Sequence, residues 1–396
     1  MKVSNRISNV EYAIRDITLH ARRYEKSGTK IIYLNIGDPV KYDFPTPEHI
    51  KRALIDAVLN NFNYYADSEG ILELREAIVE KESQKGLSIS VEDVLVTNGI
   101  SEGLDMVAAS IVEPNTEVLM PGPYYPPYAS YVKFYGGKPI EFRLTDDGTP
   151  DLDDIKSKIT PKSRALCVIN PNNPTGEVFN GKSLKQLIDI AAENDMYIVC
   201  DEIYDKLVFD KEFTGIGKVA KDAAVILLNG FSKVYLMTGW RCGYICMNSN
   251  CQQLENIRNN IPKLARVRIA TNLPVQKAAV AALQGPQEYI AETVTKLKNR
   301  RDLVVKRLNE IDGISCKLPN GAFYTFPEIS LTHWKTDKDF VLDLLNKTGI
   351  LTVHGSGFGE LGKGHFRIVY LPTEQVLEEA MDKLSDFINS KNKNNN

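Results

Sequence analysis

The chain carries no large excess of either charge, no CxxC cysteine pair and no apolar run long enough to cross a bilayer. Each absence excludes something. With 48 Lys and Arg against 51 Asp and Glu, the net charge is −3, so there is no electrostatic case for a nucleic-acid partner. Apolar runs such as Met106–Val112 fall far short of the roughly 20 residues a spanning helix needs, so no membrane partner is expected. The start, Met1-Lys2-Val3-Ser4-Asn5-Arg6, leads into polar sequence without a signal peptide's apolar core. The six cysteines (Cys167, Cys200, Cys242, Cys246, Cys251 and Cys316) form no CxxC pair. No metal site is expected, and a reduced, cytoplasmic setting is. What remains is ordinary in bulk: 43% hydrophobic and 25% charged residues over 396 positions, enough for a large core and more than one domain.

The stretch Asn229–Tyr244, NGFSKVYLMTGWRCGY, organises the rest. The apolar run Ala223–Leu228 before it suits a buried strand. Lys233 follows where that strand ends, beside Ser232, and Arg241 comes eight residues later. Open α/β sheets bind ligands at such strand ends. A lone lysine there is ordinarily a solvated surface residue. The alternative is an amine poised to bond covalently to a ligand that carries a phosphate, with Gly230, Gly239 and Gly243 allowing close backbone approach.

From Val94 onward, strand and helix patterns alternate. Strands are predicted at Val94–Thr97, Glu117–Met120, Ala165–Ile169, Tyr197–Cys200, Val225–Leu228 and Gly243–Met247. Helices are predicted at Ile71–Lys85, Tyr124–Phe134, Gly181–Asn194 and Gln252–Arg258. This predicts an α/β fold, a mostly parallel sheet flanked by helices. Upstream lie an N-terminal helix over Glu11–Lys26, a strand over Ile31–Ile36, and a helix to about Asn60 with Thr46 as its N-cap and Pro47 in its first turn. After about Gly285 come a charged helix (Pro286–Ile311), strands at Gly321–Pro327 and His365–Tyr370, and helices at Lys338–Lys347 and Thr373–Lys391. We therefore divide the chain into a large domain over 46–285 and a smaller α+β domain formed by 1–45 and 286–396. Lys391–Asn396 reads as a disordered polar tail.

Four further segments carry chemistry or merely turns. Asn170-Pro171-Asn172-Asn173-Pro174-Thr175-Gly176 is a turn by composition, or presents the Asn173 amide at a strand end. Asp201 in Asp201-Glu202-Ile203-Tyr204 is either a helix N-cap or a buried carboxylate facing a cationic ring nitrogen, with the Tyr204 hydroxyl in reach of the same ligand. Asn98-Gly99-Ile100-Ser101-Glu102-Gly103 joins strand to helix, where backbone N–H groups bind anions; neither a Gly-Lys-Ser/Thr nor a GxGxxG pattern falls at that loop. Arg367 lies in an alternating strand, on the solvent face or turned inward to grip a carboxylate with its planar fork.

Together these are the parts of a pyridoxal 5′-phosphate site: a Schiff-base lysine, an acid for the ring nitrogen, partners for the ring oxygen and a phosphate cup. Asn-Pro-Thr-Gly at 173–176, Asp-Glu-Ile-Tyr at 201–204 and Ser-Lys…Met-Thr-Gly-Trp-Arg at 232–241 resemble the motifs of class I and II aminotransferases of pyridoxal-phosphate fold type I. The likeness runs from about residue 10 to 388. Tyr12-Ala13-Ile14-Arg15-Asp16, Leu34–Lys41, Pro121–Tyr128 and Val353–Gly359 resemble archaeal-type alanine aminotransferases and their bacterial relatives more than the aspartate enzymes. The resemblance implies a transaminase, with L-alanine and 2-oxoglutarate giving pyruvate and L-glutamate. Lys233 would bond the cofactor and act as base, Asp201 would hold the ring nitrogen protonated, and Tyr204 and Asn173 would bond the ring oxygen. Tyr125 would stack on the ring. Ser101, the Glu102 N–H, Ser232 and Arg241 would hold the phosphate, joined by Tyr65 from the neighbouring subunit of a homodimer with shared sites. Arg367 would grip the α-carboxylate near Gly37, and Arg15, close to Tyr12, is the candidate cation for a distal carboxylate. One departure stands out: the family often has a hydroxyl three residues before the lysine, where this chain has Gly230. The alternatives are an aspartate or broad-range aminotransferase, a lyase acting on β-substituted amino acids, and a ligand-sensing aminotransferase-like domain.

Overall fold

The computed structural model describes residues 12–393; the expected arm before Tyr12 and the last three residues of the tail lie outside them. Seven strands make the central sheet: β1 (Val94–Thr97), β2 (Glu117–Gly122), β3 (Lys138–Arg143), β4 (Ser163–Ile169), β5 (Tyr197–Asp201), β6 (Val225–Gly230) and β7 (Gly243–Met247). Their spatial order is β1-β7-β6-β5-β4-β2-β3. Only β7 runs against its neighbours; the pairs from β6 to β3 are all parallel. Strands buried on both faces need unbroken apolar sequence. Accordingly β4, β5 and β6 supply Leu166, Val168, Ile198, Cys200, Val225 and Leu227 to one core cluster, and Cys167, Ile169, Val199, Ile226 and Leu228 to the other.

The topology has one consequence for function. Because six strands share a direction, their carboxyl ends lie along one edge of the sheet. Segments after β1, β2, β4, β5 and β6 therefore converge there, and so does the segment entering the reversed β7.

The rest of the chain closes over that edge. The helix Ala13–Lys26 packs through Ala13 and Ile14 on Val353 and Phe358. Ile32–Tyr33 pairs in parallel with Ile350–Leu351. Tyr324–Thr325 and Val353–His354 flank Phe366–Val369 in an antiparallel sheet, beside the helices Glu288–Asn309, Asp337–Thr348 and Glu374–Lys393. Arg300, 1% exposed, ties the first of these helices to Asp43 (2.8 and 2.7 Å) and to the Leu371 carbonyl (2.6 Å).

Several sequence expectations need correction. Thr46 does not cap its helix: its hydroxyl donates to the Leu236 carbonyl (2.5 Å), and Pro47 flanks the helix Glu48–Leu59. The strand expected over Ile31–Ile36 shrinks to Ile32–Tyr33. Edge strand β3 and the helix Leu273–Gln284 were not expected; the latter is capped by Asn272, whose side chain accepts from the Val275 N–H. The helix expected over Gln252–Arg258 runs instead from Glu255 to Arg268. Lys391–Lys393 are the last turn of the final helix, not part of a tail. Among the described residues no helix is long and apolar enough to cross a membrane, and no His/Cys/Asp/Glu group is placed to hold a metal.

Candidate active site

A cavity of about 510 Å³ opens at the carboxyl edge of the sheet. Its wall includes Tyr12, Arg15, Gly37, Ser101, Tyr125, Asn173, Asp201, Tyr204, Ser232, Lys233, Arg241 and Arg367. Twelve of the fourteen residues singled out by sequence thus meet in one place, although Tyr12 and Arg367 lie 355 positions apart (367 − 12).

Asp201 is the last residue of β5. No helix begins there, so the N-cap reading does not hold. Its carboxylate instead accepts from the Ile203 N–H (3.0 Å) and from the Tyr128 hydroxyl (2.8 Å). Burial raises its pKa to about 6, although both hydrogen bonds pull the other way. A cation brought against it would restore full ionisation. Lys233 follows β6 and donates to the Gly37 carbonyl (2.6 Å). Burial lowers its pKa to about 8, with Arg367 and Arg241 adding to the shift and Asp38 opposing it. Asp38 is itself held by the Thr238 hydroxyl (2.7 Å).

Arg367 is 1% exposed. It donates to Asn173 Oδ1 (2.9 Å) and to the Asn35 carbonyl (2.5 Å), which settles its side: it faces inward. Its Nε is buried without a partner among the described residues. An unpaired buried N–H is costly, so this fork suits a carboxylate that would complete it. Tyr204 meets Tyr324 hydroxyl to hydroxyl at 2.9 Å, as Tyr12 meets Tyr125. Arg241 lies against the start of the helix Ile100–Ile111: a Cβ on Gly99 would come within 2.4 Å of its Nη2. Helix start, guanidinium, Ser101 and Ser232 form a cup suited to a dianion. A buried acid short of a cation, an amine of lowered pKa, an incomplete carboxylate fork and an anion cup in one cavity fit pyridoxal 5′-phosphate.

Two of the fourteen, Glu102 and Tyr65 (the latter expected to serve a neighbouring subunit), are not part of this wall. The Glu102 N–H is turned to the Gly99 carbonyl (3.2 Å) within the first helical turn, and its carboxylate caps Asn98 N–H (2.7 Å), away from the cavity. Tyr65 is 80% exposed and does not reach this chain's cavity. Tyr128 and Tyr324 were missed. Tyr128 was within reach of sequence reasoning, because it stands three residues after Tyr125 and so shares its side of the helix Pro126–Phe134.

The departure at Gly230 has a packing cause. Gly230 pairs with Gly243, and a Cβ there would come within 2.8 Å of the Gly243 Cα and 2.9 Å of the Cys242 carbonyl oxygen. A hydroxyl-bearing residue has no room. Gly230→Ser is expected to cost about 1–3 kcal/mol of stability through overpacking, measured by denaturant unfolding, and not to tighten cofactor binding.

This sheet, with its single reversed strand and its site at the carboxyl edge, is the large-domain architecture of a fold type I enzyme. The model of the family "aminotransferase class I and II" matches residues 29–384, and the chain belongs to that family. It is 37% identical over 397 residues to the glutamate-pyruvate aminotransferase AlaA of Haemophilus influenzae, covering 97% of each chain. It is 36% identical over 395 residues to an alanine aminotransferase of Mycobacterium tuberculosis, covering 97% of this chain and 92% of that one. Among solved structures, an alanine aminotransferase from Pyrococcus furiosus matches with a TM-score of 0.96 and 50% identity, over 98% of this chain and 100% of that one. The chain is therefore a transaminase.

Proposed function

We propose that this transaminase uses pyridoxal 5′-phosphate to move an amino group from L-alanine to 2-oxoglutarate, giving pyruvate and L-glutamate. The observation that carries the reading is the convergence of Lys233 and Asp201 on one cavity, an amine and an acid whose pKa values burial pushes toward each other. When bound, the cofactor supplies an electron-withdrawing ring that makes the substrate's Cα–H acidic. Lys233, able to shed its proton near pH 8, is suited to take the Cα proton and return it. Asp201 would hold the ring nitrogen charged, Asn173 and Tyr204 the ring oxygen, and Tyr125 the ring face. Ser101, Ser232 and Arg241 would hold the phosphate. Arg367 would grip the α-carboxylate, with Gly37 leaving space beside it. The relatives named for alanine support the choice of substrate.

A site serving both alanine and glutamate needs a cation that only the longer substrate meets. Arg15 is exposed, lines the cavity next to Tyr12, and makes no ion pair among the described residues. Arg15→Ala is expected to raise KM for glutamate and 2-oxoglutarate about 10-fold or more, the worth of one hydrogen-bonded charge pair. KM for alanine and pyruvate should change less than about 2-fold on the same reasoning. Unchanged values for glutamate would remove Arg15 from the site.

We also place this protein as a cytoplasmic homodimer, with the domain division given above. Tyr65 (80% exposed) and Val267 (86%) lie on two adjoining segments, joined where the Ser68 hydroxyl donates to the Ile269 carbonyl (2.6 Å). Their apolar surface suits a second copy, and Tyr65 would then reach the partner's phosphate cup. The test of the whole reading is to load the protein with pyridoxal 5′-phosphate, reduce it with borohydride and locate the added mass. It should fall on the peptide holding Lys233. A panel of alanine, aspartate and glutamate as donors then separates the alanine reading from an aspartate or broad-range enzyme.

A further inference from the structure

Tyr324 belongs to none of the segments that pointed to the site, yet it stands between two of its working groups. Its hydroxyl is 2.9 Å from that of Tyr204, and both side chains are 3% exposed. The rings meet edge to face, 5.8 Å between centroids. On its other side the Arg367 guanidinium lies over its ring at 4.4 Å. The backbone fixes this arrangement: Tyr324 pairs with Val369, two residues along the strand from Arg367. Gly37 makes the room, since a Cβ there would come within 2.2 Å of the Tyr324 hydroxyl oxygen.

Two buried hydroxyls in contact must divide the roles, one donating and the other accepting. A proton that Tyr204 gives to a cofactor's ring oxygen cannot also go to Tyr324, so in the loaded enzyme Tyr324 has to be the donor. We propose that Tyr324 is a positioning residue for transamination: its hydroxyl donates to Tyr204 and fixes the Tyr204 proton toward the ring oxygen, while its ring backs Arg367. This rests on the cofactor reading above. A hydrogen bond received by Tyr204 strengthens the one it gives. A stronger donor stabilises negative charge on the ring oxygen and so lowers the proton affinity of the cofactor-bound lysine nitrogen. The other groups facing this pair are Asp201, Tyr125, Tyr12 and Arg367, and those nearest the lysine are Asp38 and Arg241. Tyr324→Phe, which keeps the ring, leaves each of these side chains in the protein.

Tyr324→Phe removes the donor and keeps the ring. With pyridoxal 5′-phosphate bound, the pH midpoint of the visible absorbance change should move up by about half a pH unit. kcat should fall about 3- to 10-fold, with KM for alanine nearly unchanged. Tyr204→Phe should move the midpoint further, and adding Tyr324→Phe to it should produce no second shift, because the two act as one unit. Tyr324→Leu, which also removes the ring behind Arg367, should raise KM for amino and oxo acids alike. A normal absorbance band whose midpoint is unmoved in Tyr324→Phe, or shifts that add in the double variant, overturns this inference alone. A wild-type protein that takes up no cofactor overturns the cofactor reading and this inference together.

Discussion

Lys233→Ala is expected to lower the rate of pyruvate formation from alanine and 2-oxoglutarate by at least about 10⁴-fold, because in the proposed function it removes a covalent anchor and the base together. The rest of the cavity wall does not depend on it: Ser101, Ser232, Arg241 and Asp201 remain. The variant should still bind pyridoxal 5′-phosphate by fluorescence or dialysis, but borohydride should no longer fix it. Lys233→Arg separates charge from proton transfer. Arginine keeps the positive charge but does not deprotonate in this range, so it should be as inactive as alanine. Folding gives a control. The buried amine is lowered from its unfolded value to about 8, so its contribution favours the native state increasingly as pH rises through that window and opposes it below. Apo Lys233→Ala should therefore unfold near pH 7 at the same or a higher denaturant concentration than wild type. Full activity in either variant would end the assignment.

Sequence made the core strands and most site residues legible for the same physical reason. Parallel strands buried on both faces must be unbroken apolar runs, and ligand groups must follow directly after them. That logic placed Asn173, Asp201, Ser232 and Lys233 without reference to tertiary contacts. It failed where neighbours in space, not in sequence, decide. Strand β3 reads Lys-Pro-Ile-Glu-Phe-Arg, half-exposed at the sheet edge, with only Phe142 fully buried. Tyr324 lies in Ala322-Phe323-Tyr324, where alternation puts one aromatic in and one out. Ala322 takes a positive φ of 60°, the chain turns, and both rings are buried. Glu102 is absent from the cavity wall because its carboxylate turns back to the Asn98 N–H (2.7 Å), a contact within its own loop. Gly230 was visible as an anomaly, but its cause, the Gly243 backbone opposite, was not.

The largest effect on stability is expected from a residue that sequence would place on a solvated helix face. Lys81, Glu82 and Lys85 close the helix Leu72–Gln84 behind the active site. Lys85 Nζ contacts Glu82 (2.7 Å), Glu202 (2.7 Å) and Asp205 (3.0 Å), all three carboxylate side chains 1% exposed. Lys81 Nζ contacts Asp205 (2.9 Å) and the Tyr244 hydroxyl (3.0 Å). In Asp201-Glu202-Ile203-Tyr204-Asp205, residues 201 and 204 line the cavity while 202 and 205 turn back into this cluster. Lys85 therefore clamps the reverse side of the segment that carries Asp201 and Tyr204 into the cavity. Lys85→Met keeps the stem but leaves three buried carboxylates to one lysine. Breaking a buried pair from one side costs about 3–5 kcal/mol. The lower end applies here, because the Lys85 side chain keeps 19% of its surface exposed.

The pH dependence identifies the cause. In the native protein the lysines hold Asp205 and Glu82 below the ordinary carboxylate range, against the burial that opposes it. That stability is present above the unfolded carboxylate pKa and lost as pH falls through the folded values. Without Lys85 burial dominates, as it already does at Glu202, whose pKa is raised. Carboxylates raised in this way favour the native state at low pH and lose that support as pH climbs. The stability deficit of Lys85→Met should accordingly be larger at pH 8 than at pH 5, and Glu202→Gln added to it should recover part of the loss by removing one unpaired charge. A deficit independent of pH, with no recovery in the double variant, would mean that Lys85 acts by packing its stem and not by its charge.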